Sequence, residues 1–160
     1  MRLADKVQDW LDEQDWEDAI ERDEVAQTAE LHTIYRVQNQ PCDLFINTIE
    51  EKHWISLFLY LPFRARNEKR ADVMQLCNRI NATYSQFGSL HVLPNSRIRF
   101  RHTLDVEGAE LSTIAIQRML EAAGQLIDHF LSDLAAVALT SLTAQAVFER
   151  FDQTENGAAS

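Results

Sequence analysis

Residues 67–88 read NEKRADVMQLCNRINATYSQFG, and the reading of this stretch decides the fold. Val73, Cys77, Ile80, Tyr84 and Phe87 recur at i, i+4, i+7, i+11 and i+14, the spacing of a single helical stripe. Gly88 closes it, because glycine readily takes the left-handed conformation that ends a helix. A strand-rich block lies on each side of this helix.

Before it, Leu3, Val7, Trp10 and Leu11 form the stripe of a first helix ending near Asp15 or Trp16. Residues 17–30 are acidic and aperiodic, a connection with room for a short strand at its end. Three strands follow, over residues 31–38, 44–49 and 54–61, with Gln40-Pro41-Cys42-Asp43 as a turn that leaves Cys42 near the surface. Glu50-Glu51-Lys52-His53 turns the chain again, and Pro62 limits the third strand. After the helix, residues 89–93 and 97–104 flank Pro94-Asn95-Ser96 as a hairpin. With Asn95-Ser96 as a two-residue turn, His91 faces Phe100 and Ser89 faces His102, so both histidines share one sheet face. Leu111 to about Ala138 is the longest helical pattern, with Ser112 or Glu110 near its start. Residues 139–151 form a short helical extension and residues 152–160 a disordered tail behind a single domain over 1–138. The order α-β-β-β-α-β-β-α implies an α+β fold: a five-stranded, mainly antiparallel sheet with three principal helices.

Composition bounds function by exclusion. A chain of 160 residues, 46% hydrophobic, can bury a sizeable core as one domain. Its net charge of −10 argues against nucleic acid as a partner, since that affinity is largely cationic. No apolar run approaches the roughly 20 residues of a membrane span, and the start carries no apolar signal core, which together imply a cytoplasmic protein. Cys42 and Cys77 are too few for a disulfide framework and stand in no metal-ligand spacing. The five histidines are scattered, so neither a metal nor another cofactor is expected. Gly88, Gly108 and Gly124 are isolated and form no phosphate-cradling loop. No nucleophile has a recognisable setting, and no catalytic residue is assigned.

The first helix with Trp10-Leu11, the strand Ile55-Ser56-Leu57-Phe58-Leu59 and the helix segment Cys77-Asn78-Arg79-Ile80-Asn81 together resemble the YbjN domain family of sensory-transduction regulators. Gly88, the strand Ile98-Arg99-Phe100-Arg101 and Ser112 before the long helix extend the resemblance over roughly residues 5–135. The fold of that family is similar to that of type III secretion chaperones. The resemblance implies an open antiparallel sheet with helices against it, frequent dimers, and binding of another protein rather than catalysis.

Alternation along the strands supplies a candidate binding surface. Phe45 lies opposite Leu44 and Ile46, while Trp54, Phe58 and Tyr60 lie opposite Ile55, Leu57, Leu59 and Leu61. If helices cover only one face, these aromatics form an exposed patch of the kind that marks an interface. Arg97, Arg99 and Arg101 project from one face of the fifth strand, either to grip an acidic partner or a phosphate, or to pair within the protein. Asn78 and Asn81 are neighbours on the central helix, where amides bond either the nearby backbone or a bound peptide. The expectation is a module that holds a segment of a protein client. A pocket between the final helix and the sheet, serving a small molecule or an enzyme reaction, is the alternative. Leu142, Val147, Phe148 and Phe151 need burial, which a homodimer or a lid over the sheet would provide.

Overall fold

A computed structural model describes residues 1–158. Six antiparallel strands form one sheet in the order β1-β2-β3-β4-β6-β5, one strand more than expected. They are β1 (Glu21–Asp23), β2 (Thr28–Val37), β3 (Gln40–Ile49), β4 (Trp54–Arg64), β5 (Ser89–Val92) and β6 (Arg97–Asp105). The addition is the three-residue β1, which sits in the acidic connection and pairs with the start of β2. Four helices accompany the sheet: α1 (Arg2–Glu13), α2 (Arg70–Thr83), α3 (Thr113–Leu139) and α4 (Ala144–Ala158).

The core follows from strand alternation. Cys42, Leu44 and Ile46 of β3, Ile55, Leu57 and Leu59 of β4, and Ile98 and Phe100 of β6 are all fully or nearly fully buried on one face. Each such side chain contributes about 1.5–3 kcal/mol on leaving water. α3 crosses this face over β4, β6 and β2, α1 packs beside α3, and α2 packs on β5. The aliphatic side of β4 therefore meets the long helix rather than the α2 stripe. Gly124 makes the crossing close, since a Cβ there would come within 3.1 Å of the Tyr35 ring. Ser112 caps α3 by accepting from Ala115 N–H at 3.1 Å. α1 has no local cap. Its first amides instead donate to the Glu50 carboxylate, Leu3 N at 2.9 Å and Ala4 N at 3.1 Å, which ties the helix to the β3–β4 connection.

Four local expectations fail for physical reasons. The expected turn at Gln40-Pro41-Cys42-Asp43 is strand, and Cys42 is fully buried. The chain reverses one step earlier, at Gln38 and Asn39, whose φ of 51° and 61° suit a two-residue hairpin turn. Pro62 does not end β4, because the ladder to β6 is irregular between Tyr60 and Arg64, a place that tolerates a missing N–H. In the β5–β6 hairpin, His91 lies opposite Arg99 and Ser89 opposite Arg101. Ser96 adopts φ 67° within a longer loop and shifts the register by one, so His91 and His102 occupy opposite faces. Finally, α4 is a full helix that continues to Ala158, so the tail expected from Asp152 is helical where described, and 159–160 lie outside the described residues.

Replacing Leu57 by Asp would place an unpaired charge beneath α3, at a side chain with no exposure. Urea unfolding of L57D is expected to show a loss of roughly 3 kcal/mol or more, whereas a midpoint equal to wild type would put the core elsewhere.

Candidate functional site

The face of the sheet turned away from the helices stays uncovered. Its side chains form rows across the strands, set by the register. One row runs His32–Phe45–Phe58–Arg101–Ser89 and the next Ile34–Asp43–Tyr60–Arg99–His91. Phe45, Trp54, Phe58, Tyr60, Arg97, Arg99 and Arg101 all come to this one face, with Trp54 at its end and 37% exposed. No helix lies over them, and α4 does not act as a lid on the sheet. It packs on α2 and α3 instead, burying Ala144 and Val147. Arg79 holds Asp152 at 2.7 Å, Arg150 pairs with Asp133, and the Phe151 ring meets Tyr84 and Phe130.

The arginines and aromatics of the open face are interleaved. The Arg97 guanidinium lies 4.2 Å from the centre of the Tyr60 ring and Arg99 lies 4.9 Å from that of Phe58. Such contacts leave a guanidinium partly desolvated yet still able to donate outward. Phe45 stacks on His32 at 4.3 Å and meets Tyr60 edge-on at 5.6 Å. Arg97 also donates to Asp43 at 2.6 Å, and His32 lies 3.3 Å from the same carboxylate. Among the described residues, Arg99 and Arg101 have no carboxylate partner, and Arg99 Nε is buried without a hydrogen bond. The field of this pair reaches His91, whose pKa is pushed down by burial and then by both arginine charges.

Sequence reasoning missed His32 and Asp43 as members of this face. Alternation out from Leu44 and Ile46 would have placed Asp43 beside Phe45, but the proline before it suggested a turn. Asn81 takes the structural role of the two foreseen for it. Its amide donates to Leu90 O at 2.9 Å and accepts from Leu90 N–H at 2.8 Å.

A second feature lies on the helix side. α2 ends at Thr83 instead of running on to Phe87, because the Tyr84 and Ser85 N–H groups both close on Ile80 O. Phe87 is left 59% exposed at the rim of a solvent-open groove of about 840 Å³ between α3 and β6. Leu104, Met119, Leu126 and Phe130 line it. His102 also lines it, with Nδ1 buried and unpartnered and a pKa pushed down by burial. Among the described residues no cluster of three His, Cys, Asp or Glu side chains could hold a metal ion. Nor is any described helix long and apolar enough to cross a membrane.

Residues 3–136 match the YbjN family, described as "Putative bacterial sensory transduction regulator". The chain belongs to the YbjN family. Comparison with curated proteins finds no match. Among solved structures, the chain is similar to one from the HopA1-SchA chaperone-effector complex. The two share 10% identity and a TM-score of 0.53 over 78% of this chain and 89% of the other, a likeness of fold. The crystal structure of YbjN from E. coli, described as a putative transcription regulator, aligns at 13% identity with a TM-score of 0.49. That alignment covers 81% of this chain and 91% of that one.

Burial raises the Asp43 pKa, but hydrogen bonds from Arg97 and His32 and their charges outweigh it and hold the carboxyl below its ordinary value. A depressed carboxylate pKa stabilises the fold above the unfolded value near 3.8, and the effect is lost as pH falls through the folded value. Urea midpoints across a pH series should show wild type ahead of R97A at neutral pH. The gap should close as pH falls below about 4, and one that persists there would rule out the ion pair as its source.

Proposed function

We propose that this YbjN-family protein is a non-enzymatic binding module, chaperone-like or regulatory, that holds a segment of a protein client against the open face of its sheet. The observation that carries this reading is the pair of rows that bring Phe45, Phe58 and Tyr60 together with Arg97, Arg99 and Arg101, uncovered by any helix. Aromatic and arginine side chains are the types enriched where binding energy concentrates. The fold likeness to a chain from a chaperone-effector complex supports a protein as the ligand class. On this reading the protein works in the cytoplasm. A homodimer keeps one basis, the uncovered face, because the apolar side of α4 is occupied within the chain.

The groove beside α3 favours a second reading, a small-molecule sensor, through the buried unpartnered Nδ1 of His102. An open groove with one such atom offers less orientation than a closed pocket with several converging polar groups.

The two readings separate by experiment. Immobilised wild type, F58S and R99E are compared for proteins recovered from the native cell extract, and native mass spectrometry reads any bound metabolite. Loss of specific proteins in both variants, with both still folded by circular dichroism, is the expected result. Identical recovery by all three proteins, together with a metabolite released by a substitution at His102, would sink the client reading.

A further inference from the structure

The two edges of the sheet differ in what they leave free. At β5, side chains from α2 and the loop after it occupy the outward groups of Leu90 and carbonyls that flank the strand. Asn81 takes both polar groups of Leu90, Ser85 Oγ donates to Gly88 O at 2.8 Å, and Arg70 donates to Pro94 O at 2.7 Å and Leu93 O at 3.3 Å. Within β5 only Val92 keeps its outward groups free, too short a stretch to seat a strand.

At the other edge, β1 pairs with β2 only at Thr28, Ala29 and Glu30, and β2 runs on to Val37. The turn at Gln38 and Asn39 is closed by the pair Val37 and Gln40. Residues exchanging hydrogen bonds with β3 are then Val37, Tyr35, Thr33 and Leu31, while Arg36, Ile34 and His32 aim N–H and C=O outward. Pro41, which has no N–H, sits opposite Arg36, as this assignment requires. Among the described residues no hydrogen bond reaches the outward backbone groups of His32, Ile34 or Arg36. The edge is also held in place, because Gln38 donates to Asp128 O of α3 at 2.7 Å.

We propose that the β2 edge over residues 32–36 takes an extended, acidic segment of the client as an added strand. This rests on the reading of the open face as the client surface, and names where and in what form the client enters. The same three residues bring their side chains to that face, with Ile34 49% exposed. The Arg36 guanidinium meets only the carbonyl of Asn39, at 3.2 Å. Arg36, Arg99 and Arg101 thus face outward without carboxylate partners on a protein of net charge −10. A carboxylate opposite Arg36 on an added strand meets the charge at the edge, Arg99 and Arg101 on β6 lie in the path of a segment that continues across the face, and main-chain bonds to three residues fix the register. A second copy of the chain fits less well. Pairing at so short an edge buries far less than the roughly 1,200 Å² of a stable complex, whereas a client segment can continue onto the aromatic rows.

The probe is a fluorescein-labelled peptide of alternating glutamate and valine, with a lysine–valine peptide as its charge control. Binding of the acidic peptide should slow amide exchange at His32, Ile34 and Arg36, because the amides of Thr33 and Tyr35 already bond β3. I34P removes an outward N–H that β3 does not use and should weaken binding about tenfold or more at unchanged thermal stability. R36E, which touches no ladder bond, should weaken it too and so serves if I34P folds poorly. Equal binding of both peptides, no added protection at the three amides, or full binding by I34P would each overturn the proposal. So would a concentration-dependent dimer that I34P abolishes, which would assign the edge to a second copy. If I34P recovers the same extract proteins as wild type while F58S loses them, the edge proposal falls alone. If both recover them, the face reading falls as well.

Discussion

One-sided burial of β4 is the constraint on which the rest of the molecule depends. Ile55, Leu57, Leu59 and Leu61 face α3 with almost no exposure, and the pleat sends Phe58 and Tyr60 to the other side at the same time. A one-residue slip of the strand would exchange the two sets, placing rings where α3 packs and aliphatics in water. The register that makes the core therefore also makes the uncovered surface. Changes to β4 that look like surface changes act on a strand whose other half holds the domain together.

What the sequence disclosed and what it concealed divide along the range of the interactions involved. The order of the main elements was legible because each carries its own period, 3.6 in α1, α2 and α3 and 2 in β3, β4 and β6. The residues of the open face were legible for the same reason, since Phe45, Phe58 and Tyr60 alternate with aliphatics. Turns were less legible. Gln38-Asn39 lacks glycine, and the nearby proline drew the turn to a place where it merely occupies a non-bonded strand position. The stop of α2 at Thr83 was hidden because Tyr84 and Phe87 continue the apolar period after the backbone has turned. β1 went unplaced because its three residues are all exposed and carry no pattern, and the short strand allowed at the end of the connection is the start of β2.

Long-range polar contacts were illegible in kind. Nothing near Glu50 announces that its carboxylate caps a helix 47 residues away, yet this bond sets α1 against the β3–β4 connection. Asn81 belongs to the same class: a buried amide on a helix needs partners, and here the free edge of β5 provides both. That contact does two things at once. It positions α2 over β5, and it withdraws from the edge the groups through which another strand would pair.

The charge distribution follows from the same economy of partners. Asp43, on the open face, is engaged by Arg97 and His32. Arg99 and Arg101 are left to the aromatic rings, which hold a guanidinium in place without neutralising it. A carboxylate in their place would have ended the matter inside the molecule. The rings leave outward donors fixed against an apolar floor, an arrangement in which an incoming anion loses less orientational freedom than it would to flexible lysines in water. Both the cationic and the apolar character of the surface thus come from one alternation, in which β6 sets Arg101 and Arg99 opposite Phe58 and Tyr60 of β4.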